Sequence, residues 1–164
     1  MTTIAIGSDH AGFELKEALR AWLESNGYEV QDLGTYAEER CDYPDFGAAV
    51  ARAVTAGQAD RGVAVCGSGI GICMAANKIP GARGAVIRDE YDAEYSRRHN
   101  DANVACFGGR ISAVARAQEL LGLWLKTGFD GGRPEVRGTR LWVPRRDDDE
   151  WDGPERRCGS GTAR

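Results

Sequence analysis

One stretch constrains this chain more than any other: Gly62 to Lys78, which reads GVAVCGSGIGICMAANK. Four small or β-branched apolar residues end on Cys66, glycines fall at 67, 69 and 71, and a helix-like run follows from Ile72 to Lys78. A buried strand that turns through such a loop into a helix leaves unpaired backbone N–H groups at the positive end of the helix dipole. Anionic oxygen can be held there without a metal. The thiol of Cys66 stands at the lip of the loop, and a helix N-terminus raises the thiolate fraction of a cysteine beside it. A base beside an anion hole is a catalytic arrangement. The alternative for Cys66 is inert packing, because cysteine is among the most buried residue types.

The loop also invites comparison with a dinucleotide fingerprint, and Asp89 lies about twenty residues on, where a ribose-binding acid would stand. However, its third glycine comes one residue early for G-x-G-x-x-G, and it follows the third strand of the chain rather than the first. A nicotinamide oxidoreductase is therefore a poor fit, and no cofactor is expected.

The segments around this stretch alternate. Thr3 to Ser8 reads as a strand that stops at Asp9-His10-Ala11-Gly12, and Phe13 to Asn26 carries apolar residues at helical spacing with Gly27 just beyond. Tyr28 to Leu33 is a second strand and Gly34 to Asp42 a polar loop. Tyr43-Pro44-Asp45 then leads into an alanine-rich helix from Phe46 to Ala56. Arg83 to Ile87 and Asn103 to Phe107 supply strands four and five, with helices at Glu90 to His99 and Ile111 to Lys126. Such alternation predicts right-handed crossovers and an α/β fold: a Rossmann-like, three-layer α/β/α sandwich around a five-stranded parallel sheet. Ligands of such sheets bind outside the carboxyl ends of the strands. Those ends carry Asp9-His10, Cys66-Gly67-Ser68 and Gly108-Gly109-Arg110, so the polar residues are expected on one rim.

Length and charge narrow the partners. A chain of 164 residues suits one domain, and a net charge of −4 leaves no basic footprint for nucleic acid. No apolar run reaches membrane-spanning length. The N-terminus enters a strand at once, which predicts no signal peptide. Five cysteines, at 41, 66, 73, 106 and 158, are an odd number without metal-ligand spacing, pointing to reduced thiols in a cytoplasm and no metal site. Residues 1–140 read as the domain. Residues 141–164 mix charges and glycines with no apolar period, a composition that predicts a mobile tail.

Several short stretches resemble the type B ribose-5-phosphate isomerase family, which also holds hexose-6-phosphate isomerases. They are Gly7-Ser8-Asp9-His10-Ala11-Gly12-Phe13, Asp42-Tyr43-Pro44, Cys66-Gly67-Ser68-Gly69-Ile70-Gly71, Ala75-Ala76-Asn77-Lys78, Ser96 to Asn103 and Gly131-Gly132-Arg133, in family order over residues 1 to 137. Together they are far more specific than any one alone. The resemblance implies an aldose–ketose isomerase acting on a phosphorylated sugar, as a homodimer or dimer of dimers with shared active sites.

Such an enzyme needs a base for a carbon-bound proton, stabilisation of an oxyanion and a proton carrier between O1 and O2. The resemblance assigns the carbon base to Cys66. Some relatives use a loop glutamate where this chain has Ile72, so the chain is similar to the cysteine type. Backbone N–H groups of Gly67, Ser68, Gly69, Ile70 and Gly71 would form the anion hole. Ser68 matches the hydroxyl that shuttles the oxygen proton; its alternative use is a helix cap. His99 matches the group that opens the furanose ring, and His10 a ligand on the phosphate side. Asp9 and Asn100 would bond sugar hydroxyls. Arg110, Arg133 and Arg137 would clamp the phosphate, although any single arginine is more commonly a surface ion pair. Gly138 and Thr139 weaken the C-terminal helix that relatives carry. Ribose 5-phosphate is the expected substrate; a 6-phosphohexose or a non-catalytic sugar-phosphate sensor are the rival readings.

Overall fold

The computed structural model describes residues 1–131. Five strands, β1 (Thr3–Ser8), β2 (Glu29–Asp32), β3 (Arg61–Cys66), β4 (Gly84–Val86) and β5 (Val104–Gly108), form one parallel sheet in the order β2-β1-β3-β5-β4. The helices are α1 (Phe13–Ser25), α2 (Tyr43–Thr55), α3 (Ile70–Ala76), α4 (Glu90–Arg98) and α5 (Val114–Lys126). The expected three-layer sandwich with a five-stranded parallel sheet is present.

Alternation along the strands assigns the layers. Ile4, Ile6, Val63, Val65, Ala105 and Phe107 point to the face covered by α1, α4 and α5, where Leu19, Leu23, Leu120, Leu121 and Trp124 are fully or almost fully buried. The intervening Ala5, Ala64, Cys66, Val104 and Cys106 point to the opposite face, against α2 and α3. Small residues on that second face let its helices sit close. A Cβ at Gly62 would lie 2.7 Å from a Val50 methyl, and one at Gly47 would lie 2.7 Å from the Ile72 carbonyl oxygen.

Element ends follow local chemistry. Helix α2 starts at Tyr43, three residues before its alanine-rich run, because Pro44 is suited to the first helical turn. Asp9, His10 and Gly12 form a short 3-10 turn that sequence periodicity did not show; Asp9 Oδ1 accepts the Gly12 N–H at 3.0 Å and closes it. Helix α5 begins at Val114 rather than Ile111, since the Ile111 and Ser112 N–H groups donate to the Gly108 carbonyl.

The strand order places a topological switch between β1 and β3. From β1 the chain turns outward through α1 to β2; from β3 it turns the other way through α3. The loops leaving the two strands therefore diverge and open a crevice at the carboxyl rim, the usual ligand position in such sheets. Among the described residues no helix is long and apolar enough to cross a membrane, and no group of three or more His, Cys, Asp or Glu side chains could hold a metal. Arg133, Arg137 and residues 141–164 lie outside the described residues.

Candidate active site

Strand β3 delivers Cys66 to the carboxyl rim with its backbone already spent: its carbonyl accepts the Gly109 N–H at 2.7 Å. The chain then turns through Gly67 and Ser68 into Gly69, whose φ of +77° belongs to the left-handed region. A Cβ at Gly69 would also lie 2.9 Å from the Phe107 carbonyl carbon, so both conformation and space demand glycine there. This turn folds the loop back over β3. The Gly69 N–H donates to Cys66 Sγ at 3.2 Å, and the Ile70 N–H donates to Ser68 Oγ at 3.3 Å. Gly69 is the N-cap of α3, so Ser68 bonds the first helical N–H from one residue outside the cap, and its side chain remains exposed at the cavity.

The neighbouring loops complete the rim. The Arg110 N–H donates to the Gly67 carbonyl at 3.1 Å, and a Cβ on Gly67 would lie 3.6 Å from Arg110 Nε, which puts the guanidinium stem alongside the loop. From β1, the Asp9 N–H donates to the Val65 carbonyl, and His10 follows at once. The His10 ring is held from outside the rim: Nδ1 lies 3.2 Å from the Cys41 amide nitrogen and 3.1 Å from the Cys41 carbonyl oxygen. That loop is tied down by Lys16, whose fully buried Nζ bonds both Asp32 carboxylate oxygens and the Thr35 carbonyl.

These loops enclose a cavity of about 430 Å³ lined by Asp9, His10, Cys66, Gly67, Ser68, Gly71 and Arg110, with Ala11, Tyr43 and Ile111. Sequence reasoning quoted Tyr43 in a motif without giving it a role. Here its ring forms a wall against Gly71, where any Cβ would lie 2.9 Å from the ring carbons. The tyrosine before Pro44, at the start of a helix following a polar loop, was the available signal. Gly69 and Ile70 stand behind the lining: Gly69 is buried and Ile70 is 57% exposed.

Cys66 is distinct from the two thiols nearest it in chain and core. Cys73 and Cys106 pack on each other in the α2–α3 face, and Cys106 is wholly buried. Its hydrogen bond to Cys73, and then burial, hold the Cys106 thiol well above its ordinary pKa. Neither residue lines the cavity.

Two expected site residues are elsewhere. His99 caps the C-terminus of α4, and Asn100 follows it. Helix α4 runs antiparallel to the strands, so its C-terminus lies at their amino rim. In the β3–β5 register Val104 pairs with Gly62 and Gly108 with Cys66. Residues just before Val104 are therefore displaced from Cys66 by at least four strand residues, roughly 13 Å. Within one chain the expected convergence holds for Asp9, His10, Cys66, Ser68 and Arg110, and not for His99 and Asn100. The His99 ring meets Tyr95 edge-on at 4.8 Å, and its buried Nε2 has no hydrogen-bond partner among the described residues.

Comparison with known proteins places this architecture. The family model described as Ribose/Galactose Isomerase matches residues 4–141. Ribose-5-phosphate isomerase B of Escherichia coli is 44% identical over 137 residues, covering 84% of this chain and 92% of that protein. The ribose-5-phosphate isomerase B structures of Clostridium thermocellum and Thermotoga maritima superpose with TM-scores of 0.83 and 0.84 at 46% and 41% identity. They cover 85% and 86% of this chain, and 94% and 97% of theirs. With the family model matching residues 4–141 and these relatives matched over more than four fifths of its length, the chain belongs to the ribose/galactose isomerase family.

Proposed function

We propose that the protein interconverts ribose 5-phosphate and ribulose 5-phosphate through an enediolate, with Cys66 as carbon base. The observation that carries this reading is the arrangement at the β3–α3 turn. A thiol, a hydroxyl and a helix N-terminus face one cavity, with the Gly69 N–H already aimed at the sulfur. In the open-chain aldose, Cys66 sulfur takes the C2 proton, and the electron pair left behind forms the C1–C2 double bond as O1 gains charge. N–H groups of the 67–71 loop stabilise that oxyanion. The Ser68 hydroxyl passes the O2 proton to O1, and Cys66 returns its proton to C1 to give the ketose. Arg110 and His10 line the same cavity and would hold the phosphate, joined by Arg133 and Arg137; Asp9 would bond a sugar hydroxyl.

His99 and Asn100 enter this scheme from a second copy of the chain. The displacement of α4's C-terminus from Cys66 supports that reading, as do the exposed Ile70 and Met74 on one face of α3 beside the cavity. A homodimer with shared sites lets each copy supply the ring-opening histidine to the other. The cysteines at 41, 66, 73 and 106 are free, which supports a cytoplasmic location, where thiols stay reduced.

The test is turnover of ribose 5-phosphate without added metal, beside Cys66→Ala. Rapid ketose formation that collapses in the folded variant supports both reaction and base. An active variant would remove Cys66 as the base. Turnover of 6-phosphohexoses in place of the pentose would shift the substrate by one carbon, and tight sugar-phosphate binding without turnover would make the protein a sensor.

A further inference from the structure

Asp101 holds a backbone conformation that its side chain does not explain by itself. Its φ is +48°, and it is the one non-glycine residue with positive φ among those described. Left-handed backbone is uncommon for a residue bearing a Cβ and persists only where the surroundings enforce it. Here two arginines enforce it from opposite sides. Arg97 Nη1 donates to Asp101 Oδ1 at 2.8 Å, and Arg83 Nη2 donates to Oδ2 at 2.8 Å while Arg83 Nε takes the Asp101 carbonyl at 2.7 Å. Arg97 is itself nearly inaccessible, set by the Ala102 and Thr127 carbonyls and stacked 5.7 Å from the Trp124 ring. The clamp therefore connects the end of α4 to the start of β4 and to the core under α5.

The two residues immediately before Asp101 are His99 and Asn100. The Asp101 N–H closes back on the Arg97 carbonyl at 3.1 Å and the Ala102 N–H on the Ser96 carbonyl at 2.9 Å, so the turn is pinned at both ends. His99 and Asn100 are left between those anchors with few ties of their own. Once the last turn of α4 and residue 101 are fixed, the Cα–Cβ directions of both residues are fixed with them, which limits where their side chains can reach.

We propose that Asp101, clamped between Arg83 and Arg97, is a positioning residue that aims His99 and Asn100 at the substrate. This rests on the isomerase reading, with His99 as the ring-opening group. Asp101 touches no reacting atom; it acts by holding the left-handed turn. The same feature explains why an aspartate follows the histidine–asparagine pair where glycine would cost less strain. Glycine would allow the turn but would not select it.

Ring opening can be separated from enediolate chemistry. Ribulose 5-phosphate carries its phosphate on O5 and so cannot close a furanose, whereas ribose 5-phosphate is mostly cyclic. Deuterium uptake from D₂O into C1 of ribulose 5-phosphate needs the carbon base but no ring-opening group. In Asp101→Gly the turn stays accessible while both carboxylate ion pairs are lost and only the Arg83 bond to the residue 101 carbonyl remains. Ribose 5-phosphate turnover should fall roughly 10- to 100-fold, as for a catalytic group left misplaced by about an ångström. Deuterium uptake should stay within about twofold of the unaltered protein. His99→Ala should show the same split, and Asp101→Asn, which keeps an acceptor and tolerates the backbone, should restore most turnover. Equal loss of both reactions, or unchanged turnover, in a folded Asp101→Gly protein would overturn the proposal. If His99→Ala itself shows no split, the ring-opening assignment fails and takes this inference with it; a split in His99→Ala alone sinks only the role of Asp101. Should Asp101→Gly not fold, Arg83→Met removes one arm of the clamp from a partly exposed position. The same split, smaller, then supports the proposal, and its absence overturns it.

Discussion

The two rims of the sheet are built differently. At the carboxyl rim three loops from β1, β3 and β5 meet backbone to backbone: Asp9 N–H on the Val65 carbonyl, Gly109 N–H on the Cys66 carbonyl, Arg110 N–H on the Gly67 carbonyl. Main chain holds these loops together, and glycine is needed at 12, 69, 108 and 109, where a Cβ would come within 3 Å of a neighbouring strand's or loop's backbone. At the amino rim, one turn carries His99 and Asn100, and side-chain ion pairs through Asp101 secure it. The first rim is a rigid pocket made by one chain. The second carries an exposed Asn100 and a His99 whose Nε2 is buried, and neither residue lines the cavity at Cys66. That difference is why the proposed scheme draws His99 and Asn100 from a second copy of the chain.

Removing the sulfur gives the largest expected effect. Cys66→Ala should reduce both ribose 5-phosphate turnover and deuterium uptake by roughly 10²- to 10⁴-fold with folding retained, read by steady-state kinetics and NMR. His99→Ala should spare the uptake, a contrast between the rims within one assay. The comparison sharpens when the two inactive proteins are mixed. Random re-pairing puts an intact carboxyl rim opposite an intact amino rim in one of the two sites of each mixed dimer. Activity should then return to about a quarter of the unaltered level. No recovery after verified subunit exchange would argue that each chain completes its own site.

Stability should separate the rims as well. A Cβ on Gly108 would lie 2.8 Å from the Ser68 carbonyl carbon and 2.9 Å from its oxygen, with rigid backbone on both sides. Gly108→Ala should cost about 1–3 kcal/mol in denaturant unfolding and loosen the Cys66 loop with it. Asn100→Ala, on the exposed turn, should change unfolding by less than about 0.5 kcal/mol while lowering turnover. The smallest effect on the single chain belongs to Met74→Glu. Met74 is 63% exposed and its loss leaves the core untouched, so unfolding of one chain should hardly move. Sedimentation should nevertheless show a weaker dimer; unchanged association would exclude this face of α3 as the contact.

Much of this was legible because it is local. The apolar runs at Thr3 to Ser8 and Gly62 to Cys66 marked strands, while the structure divided Ile4, Ile6, Val63 and Val65 from Ala5 and Ala64 between two layers. Helical spacing found α1 and α5 to within a few residues. The glycines at 67, 69 and 71 announced a tight loop, and the strand ends predicted a shared rim for Asp9, His10, Cys66, Ser68 and Arg110. The misses were local too, made by hydrogen bonds three or four residues apart that hydrophobic periodicity does not report. The 3-10 turn at His10 exists because Asp9 reaches the Gly12 N–H, and α5 starts late because Gly108 claims two amides.

By itself the sequence determined the alternating elements, the glycine loop with its cysteine, and the family. These follow from residue periodicity and backbone freedom, which act over a few residues at a time. Only the tertiary structure decided which of those residues share a cavity. A motif order says nothing of direction, and in a parallel sheet every strand's end and the following helix's end lie on opposite rims. That geometry brings Asp9, fifty-seven residues away in the chain, next to Cys66 and carries His99 to the other side.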